Sequence, residues 1–600
     1  MTALIRAGLI AQTSARLGLR NVAAVALHRA KTRVRRETRV SDLPSGPLFR
    51  PRTWAAEPHD ADAQAVLRCA ERIGNGELQV FGDKWVRLGF PFEWRENVLP
   101  RSANGYDIKG VWEASRFGWA VDLARAHRAA PGAGHLARLE ANVESWTAEH
   151  PTIRGDNWSC GQEAAIRVLH LLLAHQVLSG ETALAPRLAA LVARHLRRIE
   201  RTLGYAVAQQ NNHATSEAAA LFVGGAILAG HPDNGGEPRR WEDVGRRTLE
   251  RTVADLVMLD GGFAQYSTNY HRLMLDTLCQ VELWRSRLGR SQFSTGYRER
   301  CRAATGWLGA LTNAATGAAP NLGHNDGAQA YRLTDAPYAD LRPSVALAAS
   351  LFNGAAPAGE GSPSTAGSLY EKTSRVFPDF GLALINPDSA GGGSYAFVRF
   401  PVRRFRPAQA DMLHFDLWTA DGENLLIDAG TFSYSDEEGL KNFASAAAHN
   451  SVSFDRGEPM RRIGRFLYAD WPHASADAAV HHADGCASWA ASYSDYRGMR
   501  HKRLVEAGGG RWRVFDEFGG FSQVATLRWH LPPQPFRQIP NGIETDAFSL
   551  VVSPCPGAQT RIEEGRRSKT YGSKEPTIVL AVDCPIGCQS LTTTITLRQP

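Results

Sequence analysis

The sequence lacks an apolar run long enough to cross a membrane. A spanning helix needs about 18 or more consecutive apolar residues, and no window of the chain supplies them. The N-terminal segment also lacks the clean apolar stretch of a secretory signal, because polar residues within 12–16, and then Arg20 and Arg29, interrupt it. These absences predict a protein without a transmembrane segment, cytoplasmic or peripheral in location, with the periplasm left open.

Close-spaced cysteines are almost absent. The eight cysteines are Cys69, Cys160, Cys279, Cys301, Cys486, Cys555, Cys584 and Cys588. Only Cys584 and Cys588 lie near each other, and a zinc site built on such pairs needs a second pair. The pattern predicts buried, reduced thiols and no disulfide scaffold, which favours the cytoplasm.

Most of the chain has no excess of charge. The net charge of +7 is concentrated in residues 1–40, which hold nine of the 68 basic residues and one of the 61 acidic residues. The other 59 basic and 60 acidic residues nearly balance, so charge gives no argument for a nucleic-acid partner. The basic segment is amphipathic, typical of a helix docked on the protein body, and it also permits peripheral contact with a membrane.

Helical periodicity is present from residue 107 to about residue 315. Residues 158–178 are apolar on nearly every face, as in a helix packed between others. A second stripe has the spacing of an amphipathic helix and consists of Tyr270, Leu273, Met274, Thr277, Leu278, Val281 and Trp284. Glycine-containing breaks separate such segments. The pattern predicts an array of α-hairpins, of which an α/α toroid is one closed form.

The hydrophobic period changes to two after a linker rich in Gly, Pro, Ser and Ala. Ten later segments are predicted strands: 380–385, 394–400, 411–418, 424–428, 451–455, 511–518, 526–531, 548–552, 577–582 and 591–597. Without intervening helices they predict an antiparallel sandwich or stacked sheets. The predicted organisation is a basic segment (1–40), a helical domain (41–352), a linker (353–370) and a β-sheet domain (371–600).

Two polar groups in the helical domain are candidate site residues. Gln210, Asn211, Asn212 and His213 stand just before an apolar segment. Amide side chains are favoured at a helix start, so the alternative to a functional role is that Asn211 or Asn212 is simply the N-cap of this helix. Tyr270, His271 and Arg272 follow the Gly-rich loop at 260–263. The alternative for Tyr270 is a core tyrosine with a satisfied hydroxyl.

Three polar residues of the β-sheet domain could form a metal site. Alternation in 411–418 assigns the odd-numbered apolar residues to the core, so His414 is predicted to point towards a cleft or solvent. Asp428 follows a tight turn and is expected near His414, and His449 precedes the next strand. Two histidines and a carboxylate suit a zinc ion with one open position. Three unrelated polar groups are the alternative.

The ordered set of motifs resembles the heparinase II/III-like polysaccharide lyases and the alginate lyases related to them. The set is Gln210-Asn211-Asn212-His213, Asp260-Gly261-Gly262-Phe263, Tyr270-His271, His414-Phe415-Asp416, Asp428-Ala429-Gly430 and His449-Asn450. Residues 112–117, which include Arg116, and residues 157–158 are similar to earlier helical motifs of that family. The match covers roughly residues 105–460. It implies an N-terminal α/α toroid followed by a C-terminal antiparallel β-sheet sandwich domain, with a substrate cleft between them.

The resemblance implies β-elimination at a uronic acid of an acidic polysaccharide. In this reaction C5 loses its proton and the glycosidic oxygen leaves C4. By resemblance, Asn212 and His213 neutralise the sugar carboxylate, and Tyr270 is the acid and base. A phenol has a pKa near 10, so a base needs nearby donors or positive charge, for which His213, His271 and Arg272 are candidates.

The resemblance also implies roles for the remaining candidates. Arg116, Asn211, His271 and Arg272 are expected to bind substrate. His414, Asp428 and His449 are expected to hold a structural zinc ion, and no organic cofactor is implied. Met412 stands where some members carry a second catalytic histidine. Either His213 is then the base for one uronate epimer, or His414 is catalytic and the metal site is absent.

Two other functions are compatible with the same sequence. One is a non-catalytic protein for polysaccharide binding or exopolysaccharide assembly. The other is an α/α-toroid glycoside hydrolase, which needs two carboxylates flanking the bond, for which Glu217, Asp260 and Asp326 are available. The sequence leaves open which uronate polysaccharide is used, whether action is endo or exo, and the oligomeric state.

Overall fold

A computed structural model describes residues 3–34, 63–99, 106–179, 185–230, 236–330, 334–353, 369–388, 391–402 and 404–598. Most of the predicted linker, and the start of the predicted helical domain, lie outside the described residues. Among the helices described, none has both the length and the apolar character needed to cross a membrane.

The helical half contains most of the helices. The helices are α1 (Ala3–Leu17), α2 (Leu19–Val34), α3 (Ala63–Gly74), α4 (Lys109–Trp112), α5 (Gly118–Ala129), α6 (His135–Glu149), α7 (Gly161–Val177), α8 (Ala185–Glu200), α9 (Leu203–Ala208), α10 (Asn212–Leu228), α11 (Glu237–Leu256), α12 (Thr268–Arg287), α13 (Thr295–Leu311), α14 (Arg342–Phe352) and α15 (Glu437–Ala444). All but α15 precede the sheet half.

Two inner helices position the site. Every residue of α7 is buried, which confirms the helix predicted over 158–178. Helix α10 packs against α7, α11 and α12 and is buried along nearly its whole length. Its close contact with α11 requires Gly245, because a Cβ there would lie 2.3 Å from the backbone N of Phe222. The stripe that starts at Tyr270 lies on α12.

The strands are β1 (Glu77–Val80), β2 (Lys84–Arg87), β3 (Arg375–Phe377), β4 (Leu382–Ile385), β5 (Tyr395–Arg399), β6 (Phe415–Trp418), β7 (Asn424–Leu426), β8 (Val452–Phe454), β9 (Arg462–Gly464), β10 (Leu467–Tyr468), β11 (Ala474–Ala476), β12 (His481–Ala483), β13 (Cys486–Ser494), β14 (Arg500–Gly508), β15 (Arg511–Gly519), β16 (Val524–Leu531), β17 (Arg537–Ile539), β18 (Gly542–Glu544), β19 (Phe548–Ser553), β20 (Gln559–Arg567), β21 (Glu575–Pro585) and β22 (Ser590–Leu597).

Antiparallel sheets form the second half. The largest sheet has nine strands, in the order β11-β13-β14-β15-β22-β19-β18-β17 with β12 beside β13. A four-stranded sheet, β20-β21-β16-β8, and a five-stranded sheet, β3-β4-β5-β6-β7, complete the body of this half. Each of the ten predicted segments contains an observed strand. The β1–β2 hairpin in the helical half was not predicted, and neither were β3, β9–β14, β17, β18 and β20 in the sheet half.

The expectation of reduced thiols is wrong for two of the eight cysteines. Cys555 and Cys588 form a disulfide, and Cys584 is buried beside them. Cys555 follows β19 and Cys588 precedes β22, and these two strands pair side by side. The pairing was not visible in the sequence because 33 residues separate the two cysteines.

The described part of the basic N-terminal segment is a pair of helices docked on the protein body, as the sequence analysis predicted. Helix α2 lies against α9, with His28 stacked on Tyr205. Helix α1 reaches the sheet half, where Arg16 donates a hydrogen bond to the carbonyl oxygen of Trp471 at 3.1 Å.

A buried carboxylate also joins the two halves. Asp107, just before α4, accepts hydrogen bonds from Ser433 at 2.8 Å and from the hydroxyl of Tyr571. The Tyr571 hydroxyl in turn accepts the backbone N–H of Tyr434 at 2.6 Å. These contacts fix the sheet-half loop that carries Tyr434 against the toroid.

Candidate active site

A cavity of about 510 Å³ lies between the toroid and the sheet half. The starts of α4, α7 and α10, helix α9 and the loop before α12 form its toroid side. The loops at 406–408 and 434–435 and the turn of the β9–β10 hairpin form the opposite side. Asn212 and Tyr270, the two residues on which the predicted chemistry depends, line this same cavity.

Asn212 presents its side-chain amide to the cavity. Asn211 is the N-cap of α10, since its Oδ1 accepts the backbone N–H of His213 at 3.1 Å. The backbone N–H of Asn212 donates to Oε1 of Gln265 at 2.8 Å. Within the described chain the Asn212 side chain makes no hydrogen bond, although the residue is only 3% exposed. Buried amides are normally hydrogen-bonded, so this one is available to a ligand.

His213 lies beside two acidic groups. Its Nδ1 is 4.0 Å from the sulfur of Cys160 and 3.7 Å from Oε1 of Glu217. The Glu217 carboxylate fits because Gly161 has no side chain; a Cβ there would lie 2.5 Å from it. Burial lowers the pKa of His213, but Cys160 and Glu217 outweigh burial and raise it to about 10. The ring is therefore a cation at neutral pH.

Tyr270 is held as a protonated phenol. Ser267 caps α12 by accepting the backbone N–H of Tyr270 at 3.1 Å, and the Tyr270 hydroxyl lies 3.1 Å from that of Tyr434. Burial first, and then the negative charge of Asp326, raise the pKa of Tyr270 well above its usual value. The phenol therefore carries its proton at neutral pH.

An ion-pair network supports this end of the cavity. Asp326 pairs with Lys109 and lies 3.9 Å from Arg116, and these two cations outweigh burial and lower the pKa of Asp326 to about 2. Arg116 also binds Glu163 at 2.8 Å. Arg116 is 5% exposed and does not line the cavity. The side chain is therefore placed to order Glu163, which lines the cavity, and Asp326, rather than to contact a ligand in the cavity itself.

His271 and Arg272 also point away from the cavity. The His271 ring stacks on Trp307 with centroids 4.3 Å apart, and its Nε2 lies 2.9 Å from the carbonyl oxygen of Ala304. Arg272 lies over the Tyr338 ring at 4.2 Å. Neither side chain provides the expected substrate contact or the positive charge expected beside Tyr270.

Sequence reasoning missed many cavity residues, among them Lys109, His324 and Tyr434. The rings of His324 and Tyr434 are 5.2 Å apart. Burial, and after it the positive field of Arg462, lower the pKa of His324 to about 4, so its ring is neutral at neutral pH. The polar run at 323–327 was a signal for His324, but it was considered only for Asp326. Nothing in the local sequence distinguishes Tyr434.

The candidate metal ligands do converge, but away from the cavity. Ligand atoms of His414, Asp428 and His449 lie within 4.8 Å of one another. The prediction that His414 faces a cleft is wrong, because the residue is fully buried. Leu413 has a φ of 52° and the strand begins only at Phe415, so the alternation used to orient His414 does not apply. His414 therefore cannot act on a ligand in the cavity.

These ligands fit a metal ion in type and spacing. Nδ1 of His449 is 2.9 Å from Oδ2 of Asp428, and Nε2 of His414 is 3.6 Å from the same oxygen. Among the described residues, Nε2 of both histidines is buried without a hydrogen-bond partner. The Asn450 backbone N–H donates to Nδ1 of His414 at 2.9 Å, which leaves Nε2 directed towards Asp428 and Asp416. A buried His₂Asp set of this kind is a known zinc donor set.

The carboxylates considered for a hydrolase are dispersed. Asp260 accepts backbone N–H groups of Gly262, Asp379 and Phe380 and does not line the cavity. Glu217 lines the cavity, whereas Asp326 lies behind it and pairs with Lys109. The structure gives no facing pair of free carboxylates within the described residues.

Comparisons with known proteins match both halves of the chain. The family model described as heparinase II/III N-terminus matches residues 87–328, and the one described as heparinase II/III-like, C-terminal matches residues 372–593. No curated protein matches the sequence.

Solved structures share the fold at low sequence identity. The crystal structure of heparinase III has a TM-score of 0.72 and 13% identity, covering 96% of this chain and 89% of that one. Heparan sulfate lyase from Pedobacter heparinus has a TM-score of 0.53 and 16% identity, with 97% and 88% coverage. Streptomyces coelicolor A3 chondroitin AC lyase, solved with chondroitin sulphate, has a TM-score of 0.56 and 12% identity, covering 92% of this chain and 81% of that one. The match confirms the predicted fold, an α/α toroid followed by an antiparallel β-sheet sandwich.

Proposed function

The chain belongs to the heparinase II/III-like polysaccharide lyases, and from this premise we propose that it cleaves a uronate-containing polysaccharide by β-elimination in the cavity between its halves. One observation carries the proposal. The unpartnered amide of Asn212, the cationic ring of His213 and the protonated phenol of Tyr270 line one cavity. The elimination requires groups that bind the carboxylate, a proton donor for the leaving oxygen and a base for the C5 proton, and His324, a candidate for the base, lines the same cavity.

Asn212 and His213 bind the uronate carboxylate. The C5 proton of a uronate is weakly acidic while the adjacent carboxylate carries its full charge. Hydrogen bonds from an amide and an imidazolium stabilise the additional negative charge that develops there in the transition state. The position of His213 beside Cys160 and Glu217 keeps the ring protonated for this purpose, so His213 is a binding group and not the base.

His324 accepts the C5 proton, and Tyr270 donates one to the leaving oxygen. The C5–H electron pair forms the C4=C5 double bond, and the C4–O bond breaks as Tyr270 protonates the oxygen. The neutral ring of His324 is able to accept a proton at neutral pH. Tyr434 lies between the two groups, 3.1 Å from the Tyr270 hydroxyl and adjacent to the His324 ring, and can return the proton to Tyr270.

His414, Asp428 and His449 hold a zinc ion in this proposal. The ion would fasten β6, the segment after β7 and the loop before β8 to one another. Its role is structural, because none of the three residues lines the cavity. Metal analysis of the purified protein tests the assignment. We expect one zinc per chain in the wild type and none in His449→Ala, while the exposed His481→Ala keeps its zinc; a metal-free wild type contradicts the assignment.

A panel of uronate polysaccharides tests the reaction. β-Elimination creates a conjugated unsaturated uronate, whose ultraviolet absorbance rises with each cleavage, whereas hydrolysis creates none. We expect the absorbance to rise with wild type and to fail to rise with Asn212→Ala and Tyr270→Phe. Tyr496→Phe, at an exposed tyrosine outside the cavity, is the matched control and should retain activity. New reducing ends without absorbance would indicate a hydrolase, and binding without cleavage a non-catalytic protein.

A further inference from the structure

The N-terminal hairpin bridges the two halves at one end of the cavity. On the toroid side, the rings of His28 and Tyr205 stack with centroids 4.0 Å apart and planes 9° apart, and both rings line the cavity. On the sheet side, Arg16 contacts Trp471 and Leu17 packs against the sheet core. The hairpin is therefore part of the cavity wall as well as a docked surface element.

A second bridge lies at the same end. Arg406, from a sheet-half loop, donates a hydrogen bond to the carbonyl oxygen of Gln209 at 2.7 Å, and it also lines the cavity. Charges on Arg29 and Arg406 both act on the hydroxyl of Tyr205. His28, Arg29, Tyr205 and Arg406 therefore form one group, here named the Tyr205 wall.

The Tyr205 wall is close to the residue that binds the carboxylate in the proposed reaction. Tyr205 is four residues before Gln209, a distance of about 6 Å along a helix. The Gln209 amide nitrogen is 3.4 Å from Nδ1 of His213. His213, the proposed carboxylate ligand, therefore lies about one helical turn from the Tyr205 wall.

We propose that the Tyr205 wall closes the cavity at this end and makes the protein an exolytic lyase, which removes short units from a chain end. The proposal rests on the proposed lyase function. A polysaccharide that is cut internally extends out of the active site in both directions. A site closed at one end can hold only the terminus of the chain at that end. The stacked rings offer an apolar face to the last sugar, and Arg406 offers positive charge to its acidic group.

The size of the cavity supports a terminal substrate. Its volume of about 510 Å³ lies within the range of roughly 300–1,000 Å³ that encloses small ligands. A cleft for a long continuous chain would extend past the reacting sugar in both directions.

Product length in a time course tests the proposal on a polysaccharide that the wild type degrades. Absorbance counts the bonds broken, mass spectrometry gives the product length, and viscosity reports internal cleavage. We expect wild type to release short products from the first time point, with little loss of viscosity per bond broken. His28→Ala, and the undocking double variant Arg16→Ala with Leu17→Asp, should release longer fragments early and reduce viscosity several-fold faster per bond.

Leu27→Ala is the matched control, because Leu27 is adjacent to His28 and 55% exposed; its products should match those of wild type. Early internal cleavage by wild type would overturn the proposal, and so would unchanged product lengths in both variants.

A second experiment tests whether the Tyr205 wall closes the cavity without requiring activity. If no polysaccharide is cleaved, that result refutes the proposed lyase function and not the role of the wall. Cys160 lines the cavity, so its labelling by a bulky maleimide reports access, with the exposed Cys486 as an internal reference. We expect faster labelling of Cys160 in the undocked variant than in wild type or Leu27→Ala. Equal rates would show that the Tyr205 wall does not close the cavity.

Discussion

The two histidine clusters of this protein differ in what surrounds them. In the toroid half, His213 and the amide of Asn212 border a cavity, and the amide has no partner among the described residues. In the sheet half, His414 and His449 are completely buried and face Asp428. The same residue type thus serves two purposes. Polar groups that border the cavity can reach a ligand there, whereas those of the sheet cluster are enclosed in the interior and face one another.

The largest expected effect concerns the sheet cluster. His449→Ala leaves the buried carboxylate of Asp428 without its closest partner, and breaking a buried pair costs about 3–5 kcal/mol. Loss of the proposed zinc ion adds to this cost, so we expect the free energy of unfolding, measured with denaturant, to fall by at least that amount. KM of the folded fraction should stay unchanged. A variant as stable as wild type, or one with an altered KM, would remove the distinction between the clusters.

The next effect concerns the cavity cluster, where we expect a loss of catalytic rate without a loss of stability. Asn212→Ala should lower kcat by about 100- to 1,000-fold, the usual cost of losing one donor to a developing negative charge. Its unfolding free energy should stay near that of wild type, because the amide makes no hydrogen bond to the described protein. Steady-state kinetics and denaturation on the same preparation test both statements. A large loss of stability would instead show that Asn212 has a structural role, like the histidines of the sheet cluster.

The pH dependence of activity distinguishes the roles proposed for the two cavity histidines, His213 and His324. His213 must keep its proton to bind the carboxylate, so activity should fall as pH rises through about 10. His324 must be unprotonated to accept a proton, so activity should fall as pH drops through about 4. Each pH unit beyond either limit should cost about tenfold. Profiles of kcat/KM, with recovery after return to neutral pH as the control for unfolding, measure the two limits.

Glu217→Gln is the matched variant for the alkaline limit. It removes a negative charge that raises the pKa of His213, so the limit should move to lower pH while the acid limit stays in place. An unmoved alkaline limit would show that another group sets it.

The smallest effect separates the two adjacent asparagines. Asn211→Ala removes the N-cap of α10 and should cost about 0.5–2 kcal/mol of stability, with a much smaller loss of kcat than in Asn212→Ala. Asn211→Asp keeps an acceptor for the His213 backbone N–H and should restore most of the stability. Thermal denaturation compares the three proteins. A rate loss in Asn211→Asp as large as in Asn212→Ala would instead support the substrate-binding role predicted for Asn211.

The sequence was sufficient for most of the fold, because periodicity reports which faces are buried. The stripe from Tyr270 located α12, and alternation located strands such as β15 and β22. Several strands were missed: the short β9 and β10, whose hairpin borders the cavity, and also the nine-residue β13 and β14, although their buried residues alternate. The Cys555–Cys588 disulfide depends on strand pairing, which sequence spacing does not reveal.

Site prediction was limited by side-chain direction. With 3.6 residues per turn, the residues one and two positions after Tyr270 point about 100° and 200° away from it. His271 and Arg272 therefore enter the core although they are adjacent to Tyr270 in the sequence. His324 and Tyr434 come from separate loops, and only the packed halves bring them together. Local spacing carries no information about such contacts.

The contact of Asp107 with Ser433 and Tyr571 has a consequence for turnover. Tyr571 also holds the backbone of Tyr434, whose phenol meets that of Tyr270 across the interface. If the halves hinge apart to release a product, the two phenols separate and the proton relay is interrupted. In the proposed mechanism, elimination then takes place only while the two halves are closed, and the motion that releases the product also stops the reaction.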